Sequence, residues 1–225
     1  ARSGLPDLTQ AWAGFAGDNP DAPREGHGDG VIPAWKRAWQ PRAPTHGQTA
    51  EGFVEGISPE DPQPTLYFMH TLVTHTPPRW LPSGQEIAAR REIPSRHGGD
   101  LWRKDEWAVI QHYQGHLLQA GYAHTLVGRI CARLKALGAY DRSLIIVTAD
   151  HGASFRVGDR MRSIKPTNLG EIMAVPFLVK PPAEYPGPAP GTVDDRNVEN
   201  IDVLPTIADV VDVAPPWPVE GVSVL

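Results

Sequence analysis

The chain has 225 residues, of which 40% are hydrophobic and 21% are charged, so it can bury the core of one or two domains. Its net charge is −5 and it has no block of Lys and Arg, which argues against nucleic acid as a partner. No run of residues is long and apolar enough to cross a bilayer, and the one cysteine, Cys131, excludes an internal disulfide framework and is interpreted as a buried structural thiol.

The first third of the chain predicts irregular structure followed by one strand. Residues 1–63 are rich in Gly, Pro, Asp and His and predict an irregular, partly disordered segment with two short helices, at 8–15 and 31–39. The continuous apolar run of residues 65–73, between turn-like flanks, predicts a buried parallel strand. Residues 76–105 predict a long loop, and a loop of this length is often a lid or a binding loop.

The rest of the chain alternates between helices and strands. Apolar residues recur at helical spacing from residue 106 to 137, which predicts a long helix. The apolar runs 143–149 and 175–180 predict strands, and residues 201–211 predict a final helix. This order predicts an α/β fold with a mostly parallel sheet flanked by helices.

Glycines mark three special places in this pattern. Gly138 follows the last turn of the long helix, where a residue with positive φ is wanted. Gly115 and Gly121 lie inside the helix and are expected to weaken or bend it. Gly152 follows Asp150 and His151, and its conformational freedom is expected to permit a turn there.

Polar residues with catalytic potential follow two of the predicted strands. His75 comes just after the first strand, and Asp150 and His151 end the second. The carboxyl ends of parallel strands meet at one edge of a sheet, so these groups are expected to meet there. A carboxylate and an imidazole suit Zn²⁺, Mn²⁺ or a similar ion. From the spacing alone, a capping Asp in a turn and a solvated loop histidine are the favoured alternatives, and His70 is interpreted as a packed core histidine.

Cationic residues lie on the segment after Asp150 and His151. Lys165 is a candidate for neutralising a sulfate or phosphate group, with a plain surface lysine as the alternative. Arg156, Arg160 and Arg162 make the same loop cationic, which suits an anionic substrate but also a solvated charge run. The tract 90–100, rich in Arg, is either an anion-binding lid or an ordinary polar loop.

The motifs in their order resemble those of the sulfatase family in the alkaline-phosphatase superfamily. Residues 144–155, Leu-Ile-Ile-Val-Thr-Ala-Asp-His-Gly-Ala-Ser-Phe, resemble the second metal motif of sulfatases and related phosphoglycerol transferases. Residues 68–77 are similar to the family strand that ends in a His-x-Pro element. Residues 119–141, 168–182 and 200–209 resemble the helix before the metal motif, the strand after it and the late helix. The resemblance covers residues 64–225, which are interpreted as the carboxy-terminal part of an alkaline-phosphatase-like domain.

The resemblance implies a site that this chain holds only in part. Asp150 and His151 match the later pair of ligands to one divalent ion, which could be Ca, Mn, Mg or Zn. His75 matches the histidine that faces the substrate, with a catalytic role, and Lys165 is expected to hold the anionic head of the substrate. The segment that carries the nucleophile and the early acidic ligands has no match here. Cys131 lacks the Cys-x-Pro-x-Arg setting of a formylglycine precursor.

The function implied is a metal-dependent hydrolase of sulfate or phosphate esters, inactive as this piece alone. The alternatives are a sulfatase-like domain that has lost catalysis and serves as a scaffold, and a phosphoglycerol transferase or phosphodiesterase of the same superfamily. The expected partners are an anionic ester substrate and the missing amino-terminal half of the domain. The resemblance further implies a bacterial, membrane-anchored protein with this domain outside the cytoplasm, attached through segments outside this chain.

Overall fold

A computed structural model of the chain describes residues 46–58, 64–87, 96–97, 101–102, 104–185 and 189–225. The two short helices predicted at 8–15 and 31–39, and most of the Arg-rich tract 90–100, lie outside these ranges. None of the helices within the described ranges is long and apolar enough to cross a membrane.

The described residues form helices and two small sheets. The helices are α1 (His46–Gly56), α2 (Glu106–Ala136), α3 (Leu169–Met173) and α4 (Val203–Val210), and a short 3₁₀ turn at Asn200–Asp202 leads into α4. One sheet pairs β1 (Arg96–His97) with β2 (Leu101–Trp102), and the other pairs β3 (Ile145–Thr148) with β4 (Phe177–Lys180).

The long helix α2 has the ends that its sequence predicts. The Asp105 carboxylate accepts a hydrogen bond from the Ala108 amide at 3.1 Å and caps the first turn. Arg133 and Lys135 in the last turn favour the negative end of the helix dipole. Gly138 then has φ of +64°, which confirms the predicted terminator.

The glycines inside α2 leave space on the helix surface for a neighbouring loop. A Cβ on Gly115 would lie 2.8 Å from Pro78, and a Cβ on Gly121 would lie 3.0 Å from Pro82. Both prolines belong to the loop that follows residue 73. The helix continues unbroken through both positions, so the glycines let this loop lie directly on the helix surface.

The helix α1 corrects the prediction of irregular structure up to residue 63. Its three glycines hide the apolar spacing, and packing outweighs its weak helix propensity. Ala50 lies in a buried cluster with side chains of α2, Glu51 pairs with Arg129, and Arg133 donates a hydrogen bond to the Ile57 carbonyl at 3.1 Å.

The apolar run 65–73 does not pair as a strand with another described segment, although the burial of its apolar side chains alternates as it does in a strand. Its odd-numbered apolar residues pack on the helices, while the even-numbered ones are exposed, by 71% at Leu66, 60% at Phe68 and 41% at Leu72. The prediction of a strand buried on both faces is therefore wrong for the described chain. His70 shares the exposed side, so its prediction as a core histidine is also wrong.

The strands β3 and β4 pair antiparallel, with Ile145 opposite Lys180 and Thr148 opposite Phe177, against the expectation of a parallel sheet. The segment between the two strands reverses direction, and the Gly152 amide donates a hydrogen bond to the Ile172 carbonyl at 2.7 Å across this reversal. The first residue of β4 therefore lies beside the last residue of β3. An apolar run predicts a strand but leaves its direction open.

The final helix is joined to the end of the chain by two buried polar residues. The Asp202 carboxylate accepts hydrogen bonds from the amides of Glu199 and Val222, both at 2.8 Å. The Thr206 hydroxyl donates to the Asp202 carbonyl at 2.7 Å and accepts from the Val224 amide at 3.1 Å. Cys131, elsewhere on α2, is half-buried rather than buried.

Candidate metal and anion site

Asp150 and His151 follow β3, and each has one side-chain atom that is available to bind a metal ion. The Asp150 side chain is 77% exposed, and its Oδ1 accepts a hydrogen bond from the His151 amide at 2.9 Å. The His151 Nδ1 lies 2.7 Å from the Gly152 carbonyl. Because a carbonyl oxygen can only accept, Nδ1 carries a proton, so Nε2 is the nitrogen that has the lone pair in the neutral imidazole. That Nε2 lies 3.7 Å from the Asp150 Oδ2.

These two donors fit a shared divalent ion. Metal-bound oxygen and imidazole nitrogen lie about 2.0 to 2.5 Å from common divalent ions, so two ligands 3.7 Å apart can reach one ion. A hydrogen bond from Nδ1 to a backbone carbonyl is the usual support for a ligating Nε2. Within the described ranges, however, no group of three or more His, Cys, Asp or Glu side chains is placed to hold a metal ion.

Asn200 holds the end of β3 in place. Its side-chain amide donates a hydrogen bond to the Ala149 carbonyl at 2.8 Å, and its carbonyl oxygen accepts one from the Thr148 hydroxyl at 2.8 Å. Both contacts fix the backbone just before Asp150. The sequence gives no direct signal for this role, because Asn200 lies about fifty residues further along the chain.

Gly152 has a different role from the one its sequence position suggested. It is not among the glycines with positive φ. Instead, a Cβ at this position would lie 2.2 Å from the Glu171 carbonyl oxygen, so only glycine lets the two backbones meet. The absence of a side chain allows the hydrogen bond to Ile172 that turns the chain back towards the sheet.

Glu171 fastens the loop that follows the Asp150–His151 pair. Its Oε2 accepts a hydrogen bond from the buried Ser154 hydroxyl at 2.6 Å, and its Oε1 accepts one from the Arg156 Nε at 2.6 Å. The hydrogen bonds from Arg156 and Ser154 hold the pKa of the Glu171 carboxyl below its ordinary value of 4.5. Phe155 lies between them and packs on Trp102, with ring centroids 5.4 Å apart.

Lys165 is paired within its own loop. Its ammonium donates a hydrogen bond to the Asp159 carboxylate at 2.5 Å, and its backbone amide donates to the Asn168 side chain at 2.7 Å. Asn168 is buried and also donates to the Ser163 carbonyl at 3.0 Å. The charge of Lys165 is therefore already paired, although its ammonium keeps further N–H donors for a substrate.

His75 contacts the loop that follows the Asp150–His151 pair. Its Nδ1 lies 2.6 Å from the Thr76 carbonyl, and its Nε2 lies 2.5 Å from an Arg162 guanidinium nitrogen. The carbonyl must accept and arginine must donate, so the imidazole is neutral with its proton on Nδ1. The sequence alone marks Arg162 only as one of three arginines in a cationic run.

Two residues of α2 hold the backbone beneath His75. The buried Gln119 side chain accepts a hydrogen bond from the Arg79 amide at 2.7 Å and donates one to the His75 carbonyl at 3.1 Å. His116 contacts the Thr74 backbone, and burial lowers its pKa more than that hydrogen bond raises it. The sequence placed both residues in a helix but gave no reason to connect either with His75.

The structure thus joins His75 to the loop after the metal pair through Arg162. In the described part of the chain, no hydrogen bond or ion pair links His75 or Lys165 to Asp150 or His151. A single pocket that contains all four predicted residues remains a prediction.

Comparison with known proteins places the chain in a family. The profile of the Sulfatase family matches residues 35–213, most of the chain, so the chain belongs to the Sulfatase family. An ulvan-active sulfatase from Formosa agariphila is 25% identical over 113 residues, which are 49% of this chain. The aligned part covers 21% of the length of that relative.

Proposed function

We propose that the complete protein is a metal-dependent hydrolase of sulfate esters, with phosphate esters as the alternative substrates. Asp150 and His151 would hold one divalent ion through Oδ2 and Nε2. The observation that carries this proposal is that these two free donor atoms lie 3.7 Å apart at the end of β3, in a chain of the Sulfatase family. The donor set fits Zn²⁺ or Mn²⁺ best, and Ca²⁺ or Mg²⁺ if further oxygen ligands are supplied.

The reaction we propose is in-line displacement at sulfur or phosphorus. A bound divalent ion would activate the nucleophile and offset the negative charge that develops on the transferred group. His75 is the proposed catalytic residue: once its Nε2 leaves Arg162 and takes up a proton, it would hydrogen-bond the substrate or protonate its leaving group. Lys165 is the proposed partner of the anionic head, through the N–H donors of its ammonium that Asp159 does not use.

We propose that the nucleophile and the remaining metal ligands come from an amino-terminal half of the same domain, which this chain lacks. Three observations support the proposal. The aligned residues cover a fifth of the relative's length, the described residues offer no third ligand, and an apolar side of the extended segment 65–73 is exposed. Strands of the missing half would then pair with this segment and complete an alkaline-phosphatase-like sheet. A membrane anchor with this domain outside the cytoplasm remains a proposal that rests on the family resemblance.

The test compares metal content and turnover in the full-length protein. We expect His151→Ala and Asp150→Ala to lower bound divalent metal, measured by mass spectrometry of the purified protein, and to abolish hydrolysis of an aryl sulfate. His124→Ala is the matched control, because it removes an exposed imidazole of α2 from outside the proposed site. Full activity in His151→Ala would contradict the proposal.

The 225-residue chain by itself should bind metal weakly and show negligible turnover, because two ligands rarely suffice. Hydrolysis of an aryl sulfate or a phosphate diester by this chain, lost in His151→Ala, would show that no further half is needed.

One observation favours a second function, that of a scaffold that has lost catalysis. The described residues contain no third metal ligand near Asp150 and His151. A full-length sequence without an upstream strand that ends in acidic residues and a Thr, Ser or Cys would favour this alternative. Turnover of phosphodiesters instead of sulfates would favour a phosphodiesterase or phosphoglycerol transferase.

A further inference from the structure

Within the described ranges, Arg162 is a cation without a carboxylate partner. Among the residues that the structure describes, its one polar contact is the His75 Nε2 at 2.5 Å. The other cations of the loop that have described partners are neutralised, Arg156 by Glu171 and Lys165 by Asp159. Arg162 is exposed and therefore accessible to an anion from solvent.

We propose that Arg162, oriented by His75, binds the anionic group of the substrate. This proposal rests on the proposed function and names the residue that would recognise the charge of a sulfate or phosphate ester. A guanidinium carries five N–H donors in a planar fork that matches two oxygens of such a group. One donor points at the His75 Nε2, which fixes the plane of the fork and leaves the others for the ligand.

Both residues stand on backbone that is held in place before any ligand arrives. Gln119 fixes the His75 carbonyl. Arg162 follows Met161, whose side chain is buried against Trp102, and the Met161 carbonyl accepts a hydrogen bond from the Ser154 amide at 2.9 Å. Preorganised donors lose little freedom when a ligand binds, so they favour affinity.

The experiment titrates the 225-residue chain with sodium sulfate and follows the imidazole signals of His75 by NMR, with sodium chloride at equal ionic strength as the reference. We expect Arg162→Ala to weaken sulfate binding by about tenfold or more, because it removes a charge-assisted hydrogen bond. Arg162→Lys should bind with intermediate affinity, because an ammonium lacks the fork. Lys135→Ala is the matched control, because it removes one positive charge from an exposed residue of α2 outside the proposed site and should change sulfate affinity less than Arg162→Ala.

Three outcomes would overturn the assignment: no response of His75 to sulfate in the unsubstituted chain, unchanged affinity in Arg162→Ala, or an equal loss in Lys135→Ala. Backbone NMR spectra show whether each variant is folded, and Arg162→Lys provides the test if Arg162→Ala is not.

A second measurement separates this assignment from the proposed function. If the full-length protein hydrolyses an aryl sulfate and Arg162→Ala leaves KM unchanged, the assignment fails and the function stands. If the full-length protein hydrolyses no ester while sulfate binding still depends on Arg162, the function fails and the anion site stands.

Discussion

Gly152 controls how the candidate metal pair is connected to the rest of the chain. An added Cβ would lie 2.2 Å from the Glu171 carbonyl oxygen, so Gly152→Ala must push two backbone segments apart. We expect a loss of about 1 to 3 kcal/mol in the free energy of unfolding, which is typical of overpacking, measured by urea denaturation. The hydrogen bond from Gly152 to Ile172 should weaken at the same time.

Gly128→Ala provides the matched control. Gly128 lies in α2, and a Cβ there would meet nothing within 4 Å. This substitution should raise the free energy of unfolding by roughly 0.5 to 1 kcal/mol, because alanine favours a helix over glycine. Equal effects of the two substitutions would mean that the close approach at Gly152 does not matter.

The sequence identifies the residues of the candidate site better than it identifies the residues that hold them. Asp150 and His151 are adjacent and end a strand, so a local motif shows them. Asn200 and Gln119 act on backbone that lies about fifty and forty residues away, and no local pattern encodes such contacts. The pairing of His75 with Arg162 spans 87 residues and depends on the fold in the same way.

At the scale of elements, the stability of the loop between β3 and α3 depends on the ionised carboxylate of Glu171. Its pKa is lowered by hydrogen bonds from Arg156 and Ser154, so folding favours the carboxylate form. That stabilisation is fully present above the unfolded pKa, near 4.5, and is lost as the pH falls through the lower folded-state pKa. We expect the free energy of unfolding to fall below about pH 4.5 less steeply in Glu171→Gln than in the unsubstituted chain.

The control for this prediction is Glu220→Gln, which removes the same charge from an exposed position near the end of the chain. Its pH dependence of stability should follow that of the unsubstituted chain more closely. If urea denaturation from pH 3 to pH 7 gave parallel curves for all three proteins, Glu171 would have no special part in acid stability.

The prediction of elements succeeded where periodicity is long and failed where tertiary packing decides. The 31 residues of α2 repeat their apolar stripe many times and have clear signals at both ends, so the helix was predicted to within one residue. The helix α1 contains three glycines and forms against α2, which local propensity does not reveal. The apolar runs at β3 and β4 predicted strands, but their antiparallel pairing follows from the loop that reverses between them.

At the scale of the whole molecule, the described chain leaves apolar surface uncovered. Besides the exposed side of residues 65–73, Trp107 at the start of α2 is 67% exposed, and Ile110 and Leu117 are also exposed. Large contiguous apolar surface usually marks an interface. We expect the 225-residue chain to self-associate, and the double substitution Leu66→Ser with Phe68→Ser to reduce the association measured by sedimentation velocity.

The same double substitution should change the free energy of unfolding by no more than about 0.5 kcal/mol per site, because both side chains are exposed. Met69 follows Phe68 but packs against the core, and Met69→Ser should cost about 1 to 3 kcal/mol. Unchanged association in the double variant would mean that another surface is responsible.

The fit between two prolines and two glycines also limits whether the loop that contains His75, Pro78 and Pro82 could be moved to another protein. Pro78 and Pro82 occupy the places that side chains at Gly115 and Gly121 would fill, so the loop and the helix are matched in shape. If this loop were grafted onto another protein, the helix that receives it would also need glycines at the two positions that face the prolines. Random mutagenesis should accordingly find few replacements for either glycine without a compensating change in the facing proline.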